Sequence, residues 1–248
     1  GLLTAELSRK GYKPRHIQVG ADTDPYQPIE RKLRVTRQVL EVLQAFRHPL
    51  SIITKSNLIT RDADILGEMG KAGLAGAAIS ITTLDRKLAR GMEPRAATPQ
   101  RRLDAVRRLT DAGCPVTVMF APVIPGLNDH ELEAVLEASA AAGATGAGYV
   151  LVRLPLEIAD LFQQWLASDH PDRASRVMSL IRQTRGGKDY VSQWGERQRG
   201  AGPVADLVAR RFAAARARYG LDQPRRTLDA TQFRPPPRAG DQMELLFG

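Results

Sequence analysis

Apolar residues along this chain gather into short runs, separated by longer stretches where they recur at three- and four-residue spacing. The first run is His16–Val19. Inside Arg31–Phe46, Val35, Val39, Val42, Leu43 and Phe46 share one face of a helix. Leu50–Thr54 follows Pro49 and ends at Lys55, and a helix over Asp62–Lys71 stops at Gly73. Gly76–Ile81 is the third run. Thr98 then stands as a cap with Pro99 at the first helical position, and that helix runs to Asp111 and closes at Gly113. Pro115–Phe120 leads into Ala121-Pro122-Val123-Ile124-Pro125-Gly126, and a helix over Asp129–Ala142 ends at Gly143. Gly148–Val152 ends at Arg153, with helices over Leu156–Ala167 and Asp172–Thr184 behind it. A helix end over Leu2–Lys10, stopped by Gly11, precedes the whole series.

Strands alternating with helices predict a parallel α/β sheet with right-handed crossovers. The runs are short and apolar, as expected of strands buried on both faces. Five such units are too few for a closed eight-stranded barrel. They predict an open, partial barrel with an edge strand absent, which leaves His16–Val19 as an exposed edge.

Polar residues fall at the carboxyl ends of these strands: Thr23 and Asp24, Lys55, Ser80 with Thr82 and Thr83, and Arg153. In parallel α/β folds ligands bind at that end. The first of these loops, Val19–Glu30, is the densest, with Asp22, Thr23, Asp24 and Tyr26 around Pro25 and Pro28. Each residue also has a plainer reading. Asp22 and Asp24 suit a turn, Lys55 a solvated loop, Ser80 a small core position, and Thr82 and Thr83 a cap for a helix from Asp85 onward.

After Thr184 the character changes. Residues 1–185 read as the barrel and 186–223 as a basic helical extension, in which Pro203 opens a helix over Val204–Tyr219. Residues 224–248, rich in Pro and Arg, read as an extended, poorly ordered tail. The formal net charge of +9 over 248 residues points to a polyanion, with nucleic acid the first candidate. Aromatic content of 5% argues against a binder built on base-stacking platforms. The lone Cys114 excludes an intrachain disulfide and fits a reducing, cytoplasmic compartment. No apolar run reaches the length of a membrane span. The four histidines lie far apart, and neither a Gly-rich phosphate loop nor a nucleophile elbow is present.

The runs 23–30 (TDPYQPIE), 53–56 (ITKS), 78–85 (AISITTLD), 92–103 (MEPRAATPQRRL) and 121–129 (APVIPGLND) resemble radical SAM proteins, in particular the bacterial group related to spore photoproduct lyase. The resemblance covers roughly residues 1–200. It implies a partial (β/α)6 TIM-like barrel and an enzyme that cleaves S-adenosylmethionine reductively at a [4Fe–4S] cluster, giving a 5′-deoxyadenosyl radical. The family holds that cluster on a Cys-x3-Cys-x2-Cys loop after its first strand, and the chain has no such loop. The resemblance therefore puts the loop upstream of Gly1 and leaves this fragment without turnover.

By the same resemblance Thr23 and Asp24 receive the methionine amino group, and Lys55 meets the cofactor carboxylate. Ser80 contacts the ribose or carboxylate, and Val123 offers backbone groups to the adenine. Tyr26, Arg95 and Arg153 are expected at the mouth, facing substrate. A flavodoxin or ferredoxin is the expected electron donor. One departure matters: where the lyase has a hydrogen-donating cysteine, this chain has Ala21. The implied substrate is open, with nucleic acid foremost.

Gln242-Met243-Glu244-Leu245-Leu246-Phe247 resembles the short peptide by which bacterial repair proteins bind the sliding clamp. Gln242 would bond at a pocket rim, with Leu245, Leu246 and Phe247 as apolar anchors. This supplies the competing reading, a non-catalytic DNA- or clamp-associated interaction module. A half-barrel enzyme for phosphorylated metabolites is the third, weakened by the missing phosphate loop.

Overall fold

A computed structural model describes residues 1–193, 196–224 and 227–237. Its centre is one sheet of five parallel strands in sequential order: β1 (Ile17–Val19), β2 (Leu50–Thr54), β3 (Ala75–Ser80), β4 (Val116–Val123) and β5 (Gly146–Leu151). Consecutive parallel neighbours require a crossover after each strand. The helices in chain order are α1 (Leu2–Leu7), α2 (Glu30–Leu33), α3 (Val35–Ala45), α4 (Ala63–Lys71), α5 (Arg86–Met92) and α6 (Pro99–Ala112). They continue with α7 (Leu132–Ala141), α8 (Ile158–Asp169), α9 (Pro171–Gln183), α10 (Glu196–Arg199) and α11 (Pro203–Arg218). The architecture is an α/β partial barrel.

The strands are buried on one face and half-buried on the other, where burial on both faces was expected. Leu50, Ile52, Ala75, Ala77, Ile79, Val116, Val118 and Phe120 are fully buried. The alternating positions Ser51, Gly76, Ala78, Thr117 and Gly148 are half-buried and mostly small. Five strands do not close on themselves, so this second face is not filled by an opposing strand set. Its carboxyl end opens into the cleft described below.

Helix boundaries also depart from the periodic pattern. The helix expected over Arg31–Phe46 is two helices, broken at Arg34, whose φ of 52° is left-handed. The buried Glu30 supplies the reason: its carboxylate accepts from the amides of Val35 and Thr36, both at 3.1 Å, and so caps α3. The buried stripe of α3 is Thr36, Leu40 and Leu43, while Val35 is exposed. Thr98 stands at the N-cap of α6 without a side-chain cap bond. Asp85, not Thr82 or Thr83, caps α5, accepting from the amides of Lys87 and Leu88.

The described residues beyond α9 pack onto the barrel. Helix α11 packs Phe212 against Tyr149 at 4.6 Å between ring centroids, and Arg211 pairs with Glu133 on α7 at 2.6 Å. Asp222 bridges Gly146 at the free edge of β5. Residues 227–237, expected as a loose tail, strap the opposite end of the barrel from the cleft. There the amide of Asp229 bonds Gly73 O at 3.0 Å and that of Arg234 bonds Phe46 O at 2.9 Å, while Phe233 lies edge-on to His48 at 5.5 Å.

Candidate functional site

At the carboxyl end of the sheet lies an open cleft of about 510 Å³. Lys55, Ser80 and Arg153 line it, with Ala21, Ala121, Pro122, Val150, Leu151, Pro155 and Ile158. The lining therefore combines two cations and a hydroxyl with apolar surface. This size and mixture suit a small organic ligand. A smaller hollow of about 240 Å³ lies between α8 and α9, away from the strand ends.

Lys55 follows β2 and is held by a mostly buried carboxylate. Its ammonium pairs with Glu93, which is bonded from the other side by the Arg102 guanidinium at 2.5 Å. The Thr82 hydroxyl lies 3.3 Å from the same carboxylate. Burial pushes the Glu93 carboxyl up, but Arg102 and Lys55 together outweigh it and hold the group below its ordinary range. Arg102 is itself buried; it also donates to Ser80 O at 3.0 Å and Ala97 O at 2.8 Å. Ser80 is thus fixed through its carbonyl, leaving its side chain at the cleft wall.

Asp24 ties the first loop to β2. Its carboxylate accepts from the Thr54 hydroxyl at 2.6 Å, the Lys55 amide at 2.9 Å and the Tyr26 amide at 2.9 Å. The Thr54 hydroxyl in turn accepts from the Ser56 amide at 2.9 Å. Asp24 therefore positions Lys55 and the loop that carries Thr23, which is exposed and outside the cleft lining.

Two further clips hold the mouth. The buried Asn128 accepts from the Ile124 amide at 2.7 Å and donates to Thr82 O at 2.8 Å and Pro122 O at 2.9 Å. Glu131 accepts from the Thr83 hydroxyl and, at 3.1 Å, from the Leu84 amide. Thr82 and Thr83 are thereby buried in loop-to-loop contacts.

Besides Thr23, the expected site residues Tyr26, Arg95 and Val123 lie outside the cleft lining. Tyr26 is 3% exposed, and its hydroxyl donates to Asp62 at 2.9 Å beneath Arg61. Burial, then the Asp62 charge, push this phenol strongly up; it is a core group, not a mouth residue. Arg95 is exposed on the α5–α6 connection and does not line the cleft. Val123 is fully buried, and its carbonyl accepts from the Val152 amide at 2.9 Å. Gln242, Leu245, Leu246 and Phe247 lie outside the described residues.

Glu93, Arg102 and Asn128 carry the site and were not singled out by pattern reading. Glu93 and Arg102 lie within the 92–103 run, so the signal was there without an assignment. Among the described residues no three or more His, Cys, Asp or Glu side chains come together to hold a metal ion. Cys114 is buried at the far end of β4, and burial pushes its thiol up to about 12. The residues present therefore fit an organic ligand in the cleft and do not fit an iron–sulfur cluster.

The sequence profile of the Radical SAM superfamily matches residues 3–138. The chain belongs to the radical SAM superfamily. An uncharacterized protein of Mycobacterium tuberculosis is 35% identical over 183 residues, 73% of this chain and 54% of that protein. One of Methanocaldococcus jannaschii is 30% identical over 123 residues, 48% of this chain and 46% of its own. This radical SAM chain thus spans about half the length of the curated relatives it matches. A solved mutant of spore photoproduct lyase superposes with a TM-score of 0.55 at 15% identity, over 88% of this chain and 61% of the lyase. Another, with bound AdoMet and dinucleoside spore photoproduct, gives 0.50 at 17% identity over the same shares. At these identities the likeness is one of fold.

Proposed function

We propose that this chain forms the cofactor- and substrate-binding barrel of a radical SAM enzyme acting on nucleic acid, with the cluster ligands contributed by sequence outside these 248 residues. The observation that carries the reading is the Lys55–Glu93–Arg102 relay at the cleft wall. It presents a cation, braced by a mostly buried carboxylate, beside Ser80 and apolar surface.

When bound beside a reduced cluster, S-adenosylmethionine supplies radical-initiating chemistry; the chain's own residues hold and orient it. Lys55 has three N–H donors, and Glu93 uses one, so the ammonium retains capacity for a ligand carboxylate. Glu93 keeps Lys55 near the wall instead of in solvent. Asp24 fixes the Lys55 backbone and with it the stem of that side chain. Pro122, Val150 and Pro155 offer apolar surface to an adenine and exclude water from it. Asp24 has its oxygens engaged by Thr54, Lys55 and Tyr26, so Thr23 and Asp24 together meet an ammonium only at a spare lone pair.

Nucleic acid as substrate is supported by the +9 charge and by the dinucleoside lesion in solved lyase structures. Ala21 at the cleft wall, in place of a hydrogen-donating cysteine, argues for a different reaction from lesion reversal by a thiol at that position. A flavodoxin- or ferredoxin-type protein would supply the electron.

Calorimetric titration of the chain with S-adenosylmethionine tests this reading. Saturable one-to-one binding is expected. Absence of binding, together with salt-dependent affinity for DNA or for a sliding clamp, would instead favour the non-catalytic interaction module.

A further inference from the structure

The end of β5 carries a second feature that the Lys55 relay does not use. Arg185, just past α9, is 3% exposed. It donates to Val152 O at 3.0 Å and Glu196 O at 2.6 Å, both backbone carbonyls, and its Nε has no partner among the described residues. Among the described residues its positive charge is therefore buried without a carboxylate in ion-pairing contact, an expensive arrangement. Burial first, and then the neighbouring Arg153, hold this guanidinium below its ordinary range, while Tyr190 and Glu196 offset that in part. Arg153 is exposed, lines the cleft and has no carboxylate partner among the described residues.

The Arg185 guanidinium bonds the carbonyl of Val152, the residue before Arg153, so two arginines converge on the end of β5; like charges brought near one another repel, and a bound anion relieves that cost. We propose that Arg153 and Arg185 form an anion subsite at the β5 rim of the cleft that takes a phosphate group of the substrate. Arg153 makes the direct contact, since its side chain is open to the cleft. Arg185, anchored on the carbonyl that precedes Arg153, adds a fixed charge held by two carbonyls that leave it unneutralised. Guanidinium geometry suits phosphate oxygens. Pro155 and Ile158 continue the wall beside Arg153, so a ligand with a flat apolar body and a phosphate is matched at both ends. That is the chemistry of a nucleotide unit, from a nucleic acid strand or from a small phosphorylated compound.

The inference rests on reading the cleft as the substrate site, but its test involves neither S-adenosylmethionine nor a cluster. The 248-residue chain is titrated with a fluorescent single-stranded oligonucleotide of about a dozen nucleotides, and separately with pyrophosphate, at several salt concentrations. Arg153→Ala should weaken the oligonucleotide about tenfold and lower the logarithmic salt slope by about 0.7, one phosphate contact. Arg210→Ala, an equal charge loss on exposed α11, should leave this contact in place. Arg185→Lys should retain most of the affinity; Arg185→Met, checked for folding by circular dichroism, should lose it. If pyrophosphate binding depends on Arg153 and oligonucleotide binding does not, the phosphate comes from a small molecule. If Arg153→Ala matches Arg210→Ala with both probes, or neither probe binds, the subsite is refuted. Failure of the cofactor reading would show only in the S-adenosylmethionine titration.

Discussion

Arg102 grips Glu93 from inside the protein, at 2.5 Å, while Lys55 meets the same carboxylate from the cleft. Arg102 is 2% exposed, Glu93 11% and Lys55 38% by side chain. The carboxylate thus joins a buried charge to a half-exposed one, and the two ends should respond differently to substitution. Glu93→Gln leaves the Arg102 charge buried without a counterion and should cost about 3 kcal/mol. Lys55→Ala removes a partly solvated partner and should cost under about 1 kcal/mol. Chemical denaturation of the two variants measures the difference.

The same pair sets a pH dependence. The folded-state pKa of Glu93 lies below its ordinary value of 4.5, so its contribution is present above that value. It is lost as the pH falls through the folded-state value. Stability of the native chain should hold from neutral pH to about 5 and then drop more steeply than in Glu93→Gln. Asp64 and Glu133 are also held below the ordinary range by arginines, but both are more exposed and should add less. Urea midpoints across pH 3 to 7, taken for both chains, separate these contributions.

Asp24 is the other brace. Asp24→Ala removes three acceptor contacts at once and should cost about 2 kcal/mol. The Lys55 amide should lose hydrogen-exchange protection, because its acceptor is gone. Asp24→Asn should keep part of that protection. Equal protection in all three chains would mean that the loop is held by something else.

Cys114 should be chemically silent. A thiol pushed up to about 12 is almost wholly protonated near neutrality, and its side chain is buried. Alkylation of the native chain at pH 8 should therefore be far slower than that of the chain in denaturant.

The strand series was legible because parallel strands are short apolar runs bounded by glycine or proline, and each named run overlaps an observed strand. The cleft was legible in outline for the same reason, since Lys55, Ser80 and Arg153 follow directly from where strands end. What was not legible depends on partners distant in sequence. No glycine or proline marks the break at Arg34; it follows from Glu30 turning back to cap α3. A charged residue inside a helix reads as surface, and only the fold shows that Arg102 points at Glu93. Tyr26 looked like a mouth residue from its loop, but Asp62 draws it into the core. The strap was hidden because its anchor, Phe233, meets Tyr12, Phe46 and His48 from the other end of the chain.

The central claim is that Lys55, still braced by Glu93, meets a cofactor carboxylate while the Arg153 rim serves the substrate. Its most direct test is one calorimetric titration with S-adenosylmethionine, run on the native chain, on Lys55→Ala and on Arg153→Ala. A charge-assisted bond of about 1.5 kcal/mol or more predicts that Lys55→Ala weakens binding at least about tenfold. Arg153→Ala should leave binding within about twofold of the native chain. Binding that is indifferent to Lys55, or that fails in Arg153→Ala instead, would contradict this assignment of the cleft.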